Sequence, residues 1–145
     1  MMTFSHAVRT LLKARSEMAW KHYNPNPIAL EGIDCTVRAL TKALDIPWEK
    51  AYTILAVNGF KLSDMPNANH VVNYTLRQNG FKRHSLPDEC PDCYTAEDFA
   101  EAHPEGTIIL AFGDHVCCVK DGVIWDSWPS GSRVPMFYWE KEEKG

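Results

Sequence analysis

The sequence has no excess of positive charge. Fifteen Lys and Arg stand against nineteen Asp and Glu, a formal net charge of −4. Proteins that grip phosphate backbones usually carry a basic face, so no nucleic-acid partner is expected. Long apolar runs are missing as well. No stretch reaches the roughly 18 apolar residues a membrane-spanning helix needs, so no membrane partner is expected either. The first residues carry Arg9, Lys13, Arg15, Glu17 and Lys21, too much charge for the apolar heart of a secretory signal. Internal repeats and low-complexity tracts are absent too. An ordinary balance of 45% hydrophobic and 23% charged residues excludes disorder as the main state. The 145 residues suit a single domain.

Cysteines are present in odd number: Cys35, Cys90, Cys93, Cys117 and Cys118. Two are sequence neighbours and no signal precedes them. Free thiols in a reducing, cytoplasmic setting are the expected reading, rather than a disulfide scaffold.

Apolar residues at three- and four-residue spacings predict a helix from about Thr3 to Lys21, closed by Asn24-Pro25-Asn26-Pro27. A second helix is expected from Asp34 to about Leu44, with the Asp34 carboxylate as its cap and Val37, Leu40 and Leu44 facing inward. On that helix, Arg38 and Lys42 read as a solvated face. A third should open at Pro47 and end near Val57, before Asn58-Gly59. A fourth covers Ala68 to Gln78. A fifth follows Thr95, which stands at capping-box spacing from Asp98.

After Gly106 the pattern becomes extended. Thr107–Phe112, Val116–Lys120, Val123–Asp126 and Val134–Trp139 read as strands, with Asp121-Gly122 as a two-residue hairpin turn. The expected class is α+β, with helices in front of an antiparallel sheet. Residues 1–23 would form the N-terminal helix, 24–106 a helical part and 107–139 the sheet, all in one domain of residues 1–145.

The chemistry gathers around one thiol. Cys35 takes the first position of a helix, where the dipole and unpaired amides favour negative charge and can hold an oxyanion. A two-residue turn at Asp121-Gly122 sets Lys120 opposite Val123, Val119 opposite Ile124, and Cys118 opposite Trp125. Strand alternation then puts His115, Cys117, Asp126 and Trp128 on one face. His115 and Asp126 become diagonal neighbours, roughly 7 Å apart at the backbone and within side-chain reach. An imidazole backed by a carboxylate is the partner a nucleophilic thiol needs. Trp128 is placed to line a groove beside them. Cys117 and Cys118 read as core.

Asp34-Cys35-Thr36-Val37-Arg38-Ala39-Leu40 resembles the nucleophile helix of small papain-like cysteine peptidases. Gly113-Asp114-His115-Val116 and Asp121-Gly122-Val123-Ile124-Trp125-Asp126-Ser127 resemble their histidine strand, hairpin and acidic third member. The likeness runs from about Ile28 to Trp139 and is nearest to compact bacterial and bacteriophage forms such as the bacteriocin-processing peptidases. It implies a papain-like fold, with Cys35 as nucleophile, His115 as general base and acid, and Asp126 as its orienter. The substrate would be a protein or peptide, and neither metal nor organic cofactor would be required. Such enzymes usually place a Gln shortly before the cysteine to donate to the oxyanion. Here position 29 is Ala and no Gln lies nearby, so Asn24, Asn26 or backbone amides would serve. Trp128, Asn26 and Asp34 are the residues expected around the substrate.

Other readings stay open. The same site could perform acyl transfer or cell-wall amide hydrolysis. The domain could instead be an inactive papain-like shell that binds a partner or a host factor. Cys90-Pro91-Asp92-Cys93 could be loop thiols, half of a zinc site in an interaction protein, or a redox pair.

Overall fold

Alternating apolar residues in the last third of the chain build the sheet on which everything else is hung. The computed structural model describes residues 19–86 and 94–142. Among them are six strands: β1 (Trp20–His22), β2 (Phe81–Ser85), β3 (Thr107–Ala111), β4 (Val116–Lys120), β5 (Val123–Asp126) and β6 (Phe137–Lys141). They lie side by side in the order β1-β5-β4-β3-β6-β2. The β4–β5 hairpin sets Lys120 opposite Val123, Val119 opposite Ile124 and Cys118 opposite Trp125. Its turn residues Asp121 and Gly122 have φ of 50° and 77°. Two left-handed residues give a turn whose twist matches the strands, so the register is pinned without a bulge.

Two elements depart from the expected antiparallel sheet. β1 runs parallel to β5, with Trp20 beside Ile124 and His22 beside Asp126, so the sheet is mixed. Trp20 and Lys21 therefore lie in a strand, not a helix; residues 3–18 of that expected helix lie outside the described residues. The reason is tertiary: β5 needs a partner on its outer edge, and Trp20 packs against the core beneath it. β2 pairs antiparallel with β6, although Phe81-Lys82-Arg83-His84-Ser85 buries only its phenylalanine and offers little apolar pattern.

Four helices flank the sheet among the described residues: α1 (Cys35–Leu44), α2 (Trp48–Leu62), α3 (Asn69–Gln78) and α4 (Ala96–Ala102). Val37 and Leu40 of α1, Leu55 of α2, and Val72 and Leu76 of α3 share one core with Ile109, Cys118 and Trp139. The other face holds Ile108, Leu110, Cys117, Val119 and Ile124 under Phe99 and Ala100 of α4. β3, β4 and β6 thus feed alternate residues to two cores. The capping box at α4 forms: Thr95 Oγ1 accepts from the Asp98 amide at 3.3 Å, and Asp98 Oδ2 accepts from the Thr95 amide at 3.0 Å. No helix among the described residues is long and apolar enough to cross a membrane.

α2 runs past Asn58-Gly59 instead of ending there. Asn58 is buried and donates from Nδ2 to Thr75 Oγ1 at 2.9 Å, tying α2 to α3. Gly59 lets the returning chain pass close by: a β-carbon there would stand 2.8 Å from the Asp64 carbonyl oxygen and 3.1 Å from Pro66 N. Gly59→Ala, favourable on helix propensity alone, is therefore expected to destabilise by about 1–3 kcal/mol in urea unfolding, because backbone must give way.

Candidate active site

Cys35 opens α1, whose first turn faces the start of β4. Asp34 occupies the capping position yet makes no side-chain cap, contrary to expectation. Its carboxylate turns inward, where Arg38, one helical turn on, forms an ion pair with Oδ1. Trp48 Nε1 donates to Oδ2 at 2.9 Å and Asn26 Nδ2 at 3.4 Å. Three donors of the protein outcompete the helix amides for the carboxylate. The first-turn amides of α1 are left without a side-chain cap.

His115 stands just before β4 and Asp126 at the end of β5. The hairpin register brings them together: His115 Nε2 and Asp126 Oδ2 are 2.6 Å apart. Both side chains are buried, at 6% and 2% exposure. Asp126 is held from several directions. Ser130 donates from Oγ to Oδ2 at 2.7 Å, the Ser127 amide donates to Oδ1 at 2.8 Å, and Arg38 Nη2 lies 3.9 Å from Oδ1. Just past β1, the Tyr23 amide donates to the Asp126 main-chain oxygen at 2.7 Å. With Nε2 committed to the carboxylate, Nδ1 is the ring nitrogen left for the half-buried Cys35 thiol, whose ionisation His115 and the backbone of Val116 favour. His115 thus bonds Asp126 directly and lowers the pKa of the Cys35 thiol.

The electrostatics follow from these contacts. Burial pushes the Cys35 thiol up, but the bonds to His115 and Val116 and the charges of His115 and Arg38 bring it below the ordinary cysteine value. Burial pushes His115 down, yet its bonds to Asp126 and Cys35, together with their negative charges, raise it to about 9. A thiol lowered beside an imidazole raised is the charge pattern of a thiolate–imidazolium pair. Cys117 and Cys118 differ: burial raises Cys117 well above the ordinary value and Cys118 to about 12. Both are inert core thiols.

Aromatic walls fix the imidazole. Its ring centre lies 4.3 Å from that of Trp128 and 5.9 Å from that of Phe112. Trp128 is 37% exposed, so its outer face borders solvent beside the histidine. Asn26 has a different setting from the one expected. Its Oδ1 accepts from the Ile28 amide at 3.1 Å and the Leu30 amide at 3.2 Å, while Nδ2 faces Asp34. Asn24 Nδ2 donates to the Leu30 carbonyl at 3.3 Å. Both side-chain amides shape the loop before Cys35 instead of facing the thiol.

Two site residues escaped the sequence reading. Arg38, read there as solvated, is 4% exposed and reaches both Asp34 and Asp126. The available signal was its i,i+4 spacing from Asp34. Ser130 is wholly buried on Asp126 and had no pattern to announce it, because the loop after β5 alone decides where it lands. Cys90 and Cys93 lie outside the described residues. Among the described residues, no group of three or more His, Cys, Asp and Glu side chains is arranged to hold a metal. Comparison with protein-family models, with curated proteins and with solved structures finds no match to this chain.

Proposed function

We propose that the protein is a thiol-dependent hydrolase that cleaves an amide, peptide or isopeptide bond through Cys35, His115 and Asp126. The observation that carries this reading is the buried imidazole of His115, bonded at 2.6 Å to a buried carboxylate and coupled electrostatically to the helix-start thiol of Cys35. His115 takes the thiol proton on the nitrogen facing Cys35, and Asp126 holds the ring's orientation and stabilises its positive form. The thiolate attacks the carbonyl carbon, and the oxyanion that develops is held by uncapped amides at the start of α1. The imidazolium then protonates the departing amine, leaving a thioester on Cys35. Water, deprotonated by the same histidine, releases the acid and restores the thiol. The papain-like resemblance of the two sequence blocks agrees with this assignment of roles.

The test is selective labelling. At pH 6 a thiol-directed electrophile should modify Cys35 well ahead of Cys117 and Cys118, which burial keeps protonated. Cys35→Ser should lose that label while its circular dichroism stays the same. Equal labelling of both proteins would sink the assignment. An unreactive Cys35 in a folded protein would favour the inactive, partner-binding shell. Transfer of the acyl group to an added amine in preference to water would favour an acyltransferase.

A further inference from the structure

Charges around the thiol meet at one side chain. Arg38 is buried, and its two terminal nitrogens face different acids: Nη1 pairs with Asp34 and also donates to the Gly32 carbonyl at 3.4 Å, while Nη2 faces Asp126 at 3.9 Å. Asp34 directly precedes the thiol, and Asp126 stands behind the histidine. Other charged or titratable groups near the pair are His115 ahead of β4 and Cys117 on β4. Lys42, one turn further along α1, is drawn away over the Trp125 ring, 3.7 Å from its centre. Arg38 is thus the one fixed positive charge among the described residues that touches both acids. Its Nε is buried with no partner, a cost that packing alone does not explain.

Resting on the thiol–imidazole reading above, we propose that Arg38 is a positioning residue that neutralises Asp34 beside Cys35 and thereby lets the thiol ionise. An unpaired carboxylate one residue before the thiol would oppose the thiolate and would be free to cap α1, taking the very amides an oxyanion needs. Arg38 neutralises that charge and, together with Trp48 and Asn26, holds the carboxylate away from the helix amides. Its second contact lowers the negative charge felt by His115, which tempers the basicity of the imidazole.

The test is the pH profile of alkylation by iodoacetate, whose own charge favours the thiolate–imidazolium form and gives a rise and a fall with pH. The rising limb reads Cys35 and the falling limb His115. In Arg38→Gln both limbs should move to higher pH, the rising one by about one unit, so that the rate below it drops on the order of tenfold. Adding Asp34→Asn to that variant should return the rising limb close to its wild-type position. A purely structural role predicts a different signature: a loosened pair brings the limbs together from both sides, and removing Asp34 does not restore them. Unmoved limbs, or that narrowing, overturn the proposal. Should Arg38→Gln fail to fold, Asp34→Asn alone decides: the rising limb should move to lower pH, and an unmoved limb counts against. A wild-type Cys35 with no acid-side reactivity would instead defeat the hydrolase reading itself.

Discussion

Replacing His115 with Gln is expected to slow iodoacetate alkylation of Cys35 at pH 6 by roughly a hundredfold or more. An ordinary thiol titrates near about 8.5, so only about one molecule in 300 is thiolate at pH 6. In the wild-type site, hydrogen bonding and charge from His115 are the main forces that hold the thiol below its ordinary value. Burial remains after the substitution and pushes the other way. The loss is partly offset because a thiolate of higher pKa is intrinsically more nucleophilic. Rates measured from pH 5 to 10 should therefore show the acid-side reactivity vanish, leaving one simple rise at alkaline pH. In the wild type, the fall should come as His115 loses its proton, at about 9. An unchanged rate at pH 6 would mean that the imidazole does not activate the thiol.

Asp126 should be the costliest residue of the site to truncate. Asp126→Ala would leave Arg38, Ser130 and the Ser127 amide facing a void, with the buried guanidinium short of one of its two carboxylates. Breaking a buried pair by removing one member typically costs about 3–5 kcal/mol, which urea unfolding would register directly. Asp126→Asn separates stability from chemistry. Its amide keeps the shape but not the charge, so the falling limb of alkylation should drop from about 9 toward the ordinary imidazole value of 6.5. The proposed hydrolysis should fall by roughly a thousandfold or more, as in enzymes whose triad carboxylate loses its charge. An Asn variant with an unmoved falling limb would separate Asp126 from the histidine's chemistry.

How much of this was legible in the sequence depended on whether local chemistry or distant packing set each feature. Asp121-Gly122 dictates its own turn, and the turn dictates the register, so the pairing of His115 with Asp126 could be worked out residue by residue. The start of α1 at Cys35 was legible for a similar reason, since the apolar stripe of Val37, Leu40 and Leu44 has helical spacing. Arg38 was misread because its burial depends on strands more than 70 residues away in sequence. Asn58-Gly59 resembled a helix end, yet a contact to Thr75 and a close chain crossing retain both residues inside α2. β1 and β2 were invisible because three and five residues with little apolar alternation become strands only when a neighbour offers an edge.

The short parallel strand β1 has a consequence for how the site comes apart. Sheets open first at their rims, where few residues are released per bond broken. β1 is a rim strand of three residues, and its continuation at Tyr23 holds the main chain of Asp126. The acid therefore stands one strand in from a fraying border, while the thiol sits on a helix anchored in the larger core. A modest local opening can uncouple the carboxylate from the imidazole without melting the domain, so reactivity can be lost at a lower temperature than the fold.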